Sequence, residues 1–85
     1  MNENPTYHPV SCALHSALEL AVIRGLRSRL QLHNGETWYG WPLDVWTSGA
    51  REWLLWKMEK ARPGEFFCLD LTEIEGVNEA PITLR

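Results

Sequence analysis

The sequence predicts a mainly β fold with one N-terminal helix. An apolar stripe at helical spacing follows Ser11, and after Gly25 the apolar residues begin to alternate with polar ones, as is typical of strands. Turn-forming stretches then divide the rest of the chain into short apolar runs. With 85 residues, the chain is expected to form a single domain, residues 1–85, around one core.

The helix is predicted over residues 11–25. Residues 1–10 have no periodic pattern and contain two prolines, so we expect them to form an extended lead-in. Ser11 is suited to cap the helix at its N-terminus, and Gly25 is suited to end it. The apolar stripe between these two residues consists of Leu14, Ala17, Leu18, Ala21 and Val22.

A β-hairpin is predicted around Asn34-Gly35, because Asn-Gly between two alternating runs is a strong signal for a hairpin turn. Two registers of the hairpin strands are compatible with the sequence. A two-residue turn would place Tyr39 opposite Leu30, on the buried face of the sheet. A three-residue turn with a bulge at Gly35 would place Trp38 there instead.

The remaining strands follow at hairpin spacing. Pro42 lies in the second arm of the hairpin, and because proline lacks an N–H group, it predicts an edge strand or a bulge. Further strands are expected within the segments 51–59, 66–71 and 72–77. Strands would thus occupy residues 26–77, and residues 78–85 would form a tail.

One helix followed by four or five short strands favours a small SH3-like or Sm-like antiparallel barrel. Such a barrel buries much apolar surface without leaving long unpaired edges.

Charge and cysteine content narrow the classes of function. The net charge of −3 argues against DNA binding and fits a partner that is itself basic. The two cysteines have no CxxC spacing, the N-terminus lacks the features of a secretion signal, and no apolar run approaches the ~20 residues of a membrane span. We therefore expect a cytoplasmic protein with both thiols free, no membrane association and no cofactor.

Cys12, His15 and Glu19 form a candidate site, because their spacing places them on one side of the predicted helix. A thiol, an imidazole and a carboxylate would suit a thiol enzyme or a metal centre. However, one Cys-x-x-His pair is a weak zinc signal, since structural zinc takes four ligands. The chain also has no phosphate loop or nucleophile elbow. We expect no enzyme activity, and interpret these residues as the rim of a packing helix or as a protein-contact face.

The aromatic residues suggest a second hypothesis, which is binding of single-stranded RNA. Arginines interleaved with aromatic side chains on a small barrel hold single strands by stacking and phosphate contacts. Arg27 and Arg29 are the candidate cations for such a site. The candidate stacking residues are Trp38, Trp41, Trp46, Trp53 and Trp56. The acidic net charge makes this the less favoured function.

A series of short motifs occurs in a characteristic order along residues 7–75. The motifs are YHPVSC, LELA, NGE, a lone Asp44, REWLLW and CLDL. Their matching positions are Tyr7, Pro9, Val10, Cys12, Leu18, Glu19, Ala21, Asn34, Gly35, Glu36, Asp44, Glu52, Trp53, Leu54, Leu69 and Asp70. This order resembles that of the Rof family, the Rho-binding antiterminators.

The resemblance implies an Sm-like barrel preceded by a helix. It also implies non-enzymatic binding to the RNA-binding N-terminal domain of the transcription termination factor Rho, with reduced Rho-dependent termination. The family helix begins with several aspartates and an aromatic residue. In this chain His15 takes the aromatic position, Ser16 takes an acidic one, and Glu19 remains an acid. These three residues are the implied partner contacts. A family member with a different protein partner is the remaining alternative.

Overall fold

The computed structural model describes residues 12–80, which form one helix and a five-stranded antiparallel sheet. The mainly β fold with one N-terminal helix is thereby confirmed, while the predicted lead-in and the Ser11 cap lie outside the described residues. The elements are α1 (Cys12–Arg24), β1 (Ser28–Leu32), β2 (Thr37–Ser48), β3 (Arg51–Met58), β4 (Phe67–Asp70), a short 3₁₀ helix (Leu71–Glu73) and β5 (Ile74–Glu79). The order of strands in the sheet is β4-β3-β2-β1-β5.

Gly25 ends α1, as the sequence predicts. Its φ of +63° lies in the left-handed region, which glycine adopts without steric cost. Its N–H donates to the Val22 carbonyl at 3.2 Å, and the Leu26 N–H donates to the Ala21 carbonyl at 3.1 Å. This pair of bonds is a Schellman motif, which satisfies the last carbonyls of the helix and directs the chain into β1.

The hairpin between β1 and β2 has the three-residue turn. The Leu32 N–H donates to the Glu36 carbonyl at 2.9 Å, and Gly35 between them has a φ of +94°. Leu30 consequently pairs with Trp38. Trp38 packs against the core cluster, whereas Tyr39 is 43% exposed. Of the two registers, the one with a bulged glycine is therefore present.

Pro42 lies at a bulge in the central strand β2, so the alternative of an edge strand is wrong. The register of β2 against β3 shifts between Pro42 and Asp44. The Glu59 N–H donates to the Tyr39 carbonyl, so the backbone polar groups of Tyr39 face β3. Along an antiparallel strand these groups face the two neighbouring strands in turn. The nitrogen of Pro42, three positions further on, therefore faces β1 and not β3. Ser28–Gly40 is the last pair between β1 and β2 in this direction, so the missing N–H of Pro42 interrupts no ladder bond.

The connection from β4 to β5 requires a bent sheet. These strands are the two edges, yet the end of β4 at Asp70 and the start of β5 at Ile74 are only four positions apart in the chain. Five flat strands would place the edges roughly 19 Å apart, whereas four residues span about 14 Å at most. The sheet nevertheless remains open, because no pairing joins β4 to β5 within residues 12–80. Closure of the predicted barrel is thus not seen.

One hydrophobic cluster joins the helix to the sheet. Leu18 of α1 is fully buried, and the other buried members of its cluster come from β1, β3, β4, β5 and the 3₁₀ helix. Trp38 and Val45 of β2 are partly buried and pack against them. The buried members of the cluster are Leu18, Leu30, Leu32, Leu54, Trp56, Leu69, Leu71 and Ile74.

β5 continues to Glu79, past the predicted end of the strands at residue 77. Asn78 and Glu79 pair with Arg29 and Ser28 of β1, so this part of the predicted tail belongs to the sheet.

Candidate protein-binding face

His15 links α1 to β3. Its Nε2 lies 3.2 Å from the Glu19 carboxylate, one helical turn along α1, and its Nδ1 makes a hydrogen bond with the Glu52 carboxylate of β3. The imidazole is partly buried between the two acids, with 27% of its side chain exposed. A side chain with two ring nitrogens is suited to this position, because the protonated ring donates to both carboxylates.

These two carboxylates raise the pKa of His15 above its usual value. The hydrogen bond with Glu52 is the largest cause, burial opposes it, and Glu19 adds a second hydrogen bond in the same direction. The charged imidazolium is therefore favoured, and it offsets one of the two neighbouring negative charges.

Ser16 and Glu19 are exposed on the same side of α1, so the three sequence-predicted contact residues do lie together. We refer to His15, Ser16, Glu19 and Glu52 as the acidic face. Cys12 is exposed at the start of α1, whereas the ring of His15 contacts the two glutamates. The predicted grouping of thiol, imidazole and acid is thus replaced by an imidazole between two acids.

Glu52 is the member of this face that sequence reasoning missed. It lies in REWLLW, where alternation marks it as a rim residue of a strand and nothing points to the helix. The contact spans 37 positions along the chain.

Both cysteines of the chain are exposed and unpaired. Residues 12–80 contain no group of three or more His, Cys, Asp or Glu side chains placed to hold a metal ion.

Asp70, another residue of the motif series, has a structural position. Only 5% of it is exposed, and its carboxylate accepts from the Thr72 N–H at 2.9 Å, the Thr72 hydroxyl at 3.0 Å and Arg51 Nη1 at 2.5 Å. Burial alone would raise the pKa of Asp70, but the Thr72 amide and the Arg51 guanidinium together lower it. The ionised carboxylate caps the 3₁₀ helix and orients the chain toward β5.

The candidate RNA-stacking residues are largely covered. Trp56 is fully buried, with its Nε1 lacking a partner in the described part of the chain, and the other four tryptophans are half-buried. Arg27 donates to both oxygens of Glu59, at 3.0 and 2.8 Å, and its guanidinium lies 5.3 Å from the centre of the Tyr39 ring. Arg29 is exposed.

An aromatic groove of about 380 Å³ lies near the 59–66 loop. The rings of Trp38 and Phe67 contact each other along it, with their centres 5.4 Å apart. Its charged lining comprises two acids and one base, Glu59, Glu65 and Lys60. This balance does not favour a phosphate backbone.

Comparison of the chain with known protein families, curated proteins and solved structures finds no match. The likeness to the Rof family therefore rests on the motifs of the sequence. Among residues 12–80, α1 is too short to cross a membrane.

Proposed function

We propose that this chain is a non-enzymatic regulator that binds the RNA-binding N-terminal domain of transcription termination factor Rho and reduces Rho-dependent transcription termination. The observation that carries the proposal is the acidic face, on which Ser16 and Glu19 are exposed and Glu52 is held beside them through His15. A protein surface that binds RNA is basic, so the acidic face would be attracted to that surface and would compete with RNA for the same site.

The proposal includes a small SH3-like or Sm-like barrel as the scaffold. Its support is the three-residue 3₁₀ helix, which brings the two edge strands toward each other. Leu71 and Ile74 near this connection are buried in the common core. A curved, rigid sheet of this kind would hold α1 in a fixed orientation for a partner.

Direct RNA binding is the weaker alternative. All five tryptophans are buried or half-buried, and Arg27 is engaged by Glu59. A different protein partner remains consistent with the same acidic face.

Titration of the purified protein against the N-terminal domain of Rho, with and without a cytidine-rich RNA, tests the proposal. We expect binding that RNA displaces and that weakens as salt rises, because the contacts are electrostatic. Absence of binding to the domain would contradict the proposal. Binding to RNA alone would then favour the alternative.

A Glu19→Arg variant tests the location of the site. Reversing this exposed charge should weaken binding to Rho by about tenfold or more, because it places a cation against a basic surface. Glu75→Arg is the matched control, since Glu75 is an exposed acid on β5. Equal binding by the Glu19 variant and wild type would remove Glu19 from the site.

A further inference from the structure

A groove separates α1 from the bulge of β2, next to the acidic face. It is lined by Glu19, Val22, Ile23, Asp44 and Val45, and its volume is about 180 Å³. Pockets for small organic ligands start at about 300 Å³, so this groove is better matched to one side chain of a partner protein. We refer to it as the α1–β2 groove.

The two charged residues that line the α1–β2 groove, Glu19 and Asp44, are both acids, and Glu19 also contacts His15 on the acidic face. The Asp44 Oδ1 accepts from the Val45 N–H at 2.9 Å, which fixes the carboxylate at the bulge, while its Oδ2 has no partner within residues 12–80. Arg24 lines a different groove, together with Leu20 and Asn78 near β5.

The apolar part of the groove is open to solvent. Ile23, one of its three aliphatic lining residues, is 80% exposed. Val22 and Val45 are half-buried beside it. Aliphatic surface flanked by carboxylates matches a long cationic side chain, whose stem packs on apolar atoms while its head group stays with the charges.

The α1–β2 groove continues the acidic face. His15, Glu19 and Ile23 follow each other at four-residue spacing and therefore lie along one line of α1. Glu19 belongs to both surfaces, so a partner that contacts the acidic face reaches the groove without leaving the helix.

We infer that the α1–β2 groove receives an arginine or lysine side chain from the basic protein partner, with its stem against Ile23 and its cation between Glu19 and Asp44. This inference rests on the proposed function, in which the partner is the basic surface of Rho. It extends the contact region from the N-terminal half of α1 to the bulge of β2, where Asp44 is a position of the motif series but not one of its implied contacts.

The test measures binding of the full chain to Rho for wild type, Asp44→Asn and Ile23→Ala. Asparagine retains the oxygen that accepts from Val45, and alanine favours the helix, so both variants are expected to fold. Each should weaken binding by about three- to tenfold, and the effect of Asp44→Asn should shrink as salt rises. Glu75→Gln on β5 is the control for loss of one negative charge and should bind like wild type.

The outcomes separate the inference from the proposed function. Weakening by both variants but not by the control supports the groove. If wild type binds Rho and neither variant changes the affinity, the groove is not a contact, while the proposed function stands. If wild type does not bind Rho at all, the proposed function fails, and the inference fails with it.

Discussion

At the scale of single residues, two acids of the motif series, Glu52 and Asp70, have different surroundings. Glu52 contacts His15 at the surface and belongs to the acidic face, whereas Asp70 is buried and caps the 3₁₀ helix. Both are members of the same motif series in the sequence. Membership of a motif therefore does not distinguish a residue that is accessible at the surface from a buried structural one, and the solvent exposure of the carboxylate does.

The raised pKa of His15 predicts a pH-dependent contribution to stability. Because this pKa is higher in the folded state, the contribution is complete below the unfolded-state pKa of about 6.5 and is lost as pH rises through the folded-state pKa. His15→Gln should therefore lower the free energy of unfolding by about 0.5–1 kcal/mol just below pH ~6.5, and by less at alkaline pH. Urea unfolding of wild type and variant, on both sides of this pH, measures the difference in the free energy of unfolding.

Glu52→Gln provides a second check on His15. It removes the largest cause of the raised pKa, so the pH dependence attributed to His15 should become smaller in this variant. An equal effect of His15→Gln at every pH would contradict the assignment.

Asp70→Asn should destabilise the fold. The variant loses the charged partner of Arg51 in a site that is only 5% exposed, which costs about 1–3 kcal/mol at neutral pH. The lowered pKa of Asp70 means that its contribution is present above the unfolded-state pKa and is lost as pH falls through the folded-state value. The gap between wild type and variant should therefore narrow in acid. Denaturant midpoints at neutral and acidic pH test this, and a constant gap would speak against it.

At the scale of elements, the close approach of β2 and β3 depends on a small residue. A Cβ atom on Gly40 would lie 2.0 Å from the Lys57 carbonyl oxygen, in a position where backbone would have to move. The two strands meet here just before the bulge that exposes Asp44. Gly40 thus helps to set the geometry of the strand that forms one wall of the α1–β2 groove.

Gly40→Ala should therefore lower the free energy of unfolding by about 3 kcal/mol, since overpacking forces the strands apart. Gly76→Ala in β5 is the matched control. A Cβ atom there meets nothing within 4 Å, and a change within about 0.5 kcal/mol is expected. Thermal melts of both variants provide the comparison. Similar melting temperatures for the two would show that β2 and β3 can separate at no cost.

At the scale of the whole molecule, the helix and the sheet share one core. Leu18 of α1 packs in the same cluster as Leu54 and Trp56 of β3. A helix of this length is marginal in water by itself, so its stability depends on the sheet. The helix and the sheet should consequently unfold together.

Leu18→Ala should lower the free energy of unfolding by about 2–5 kcal/mol, because it leaves a cavity at a fully buried position. Far-ultraviolet circular dichroism reports the helix, and tryptophan fluorescence reports the sheet core. Their transitions should coincide in wild type and shift together in the variant. Ile23→Ala, at an exposed position of the same helix, should leave both nearly unchanged. Separate transitions for the two probes would contradict a common core.

The sequence by itself determined the local elements. Periodicity and turn chemistry act over a few residues. They predict the helix that ends at Gly25, the hairpin turn at Asn34-Gly35 and the later strands. The placement of His15, Ser16 and Glu19 on one side of α1 follows for the same reason. The tertiary structure decided the rest, namely the register that places Trp38 opposite Leu30, the position of the bulge and the contact between His15 and Glu52. These features depend on which strands become neighbours, and that is settled by packing of the whole core between residues that are distant in the chain.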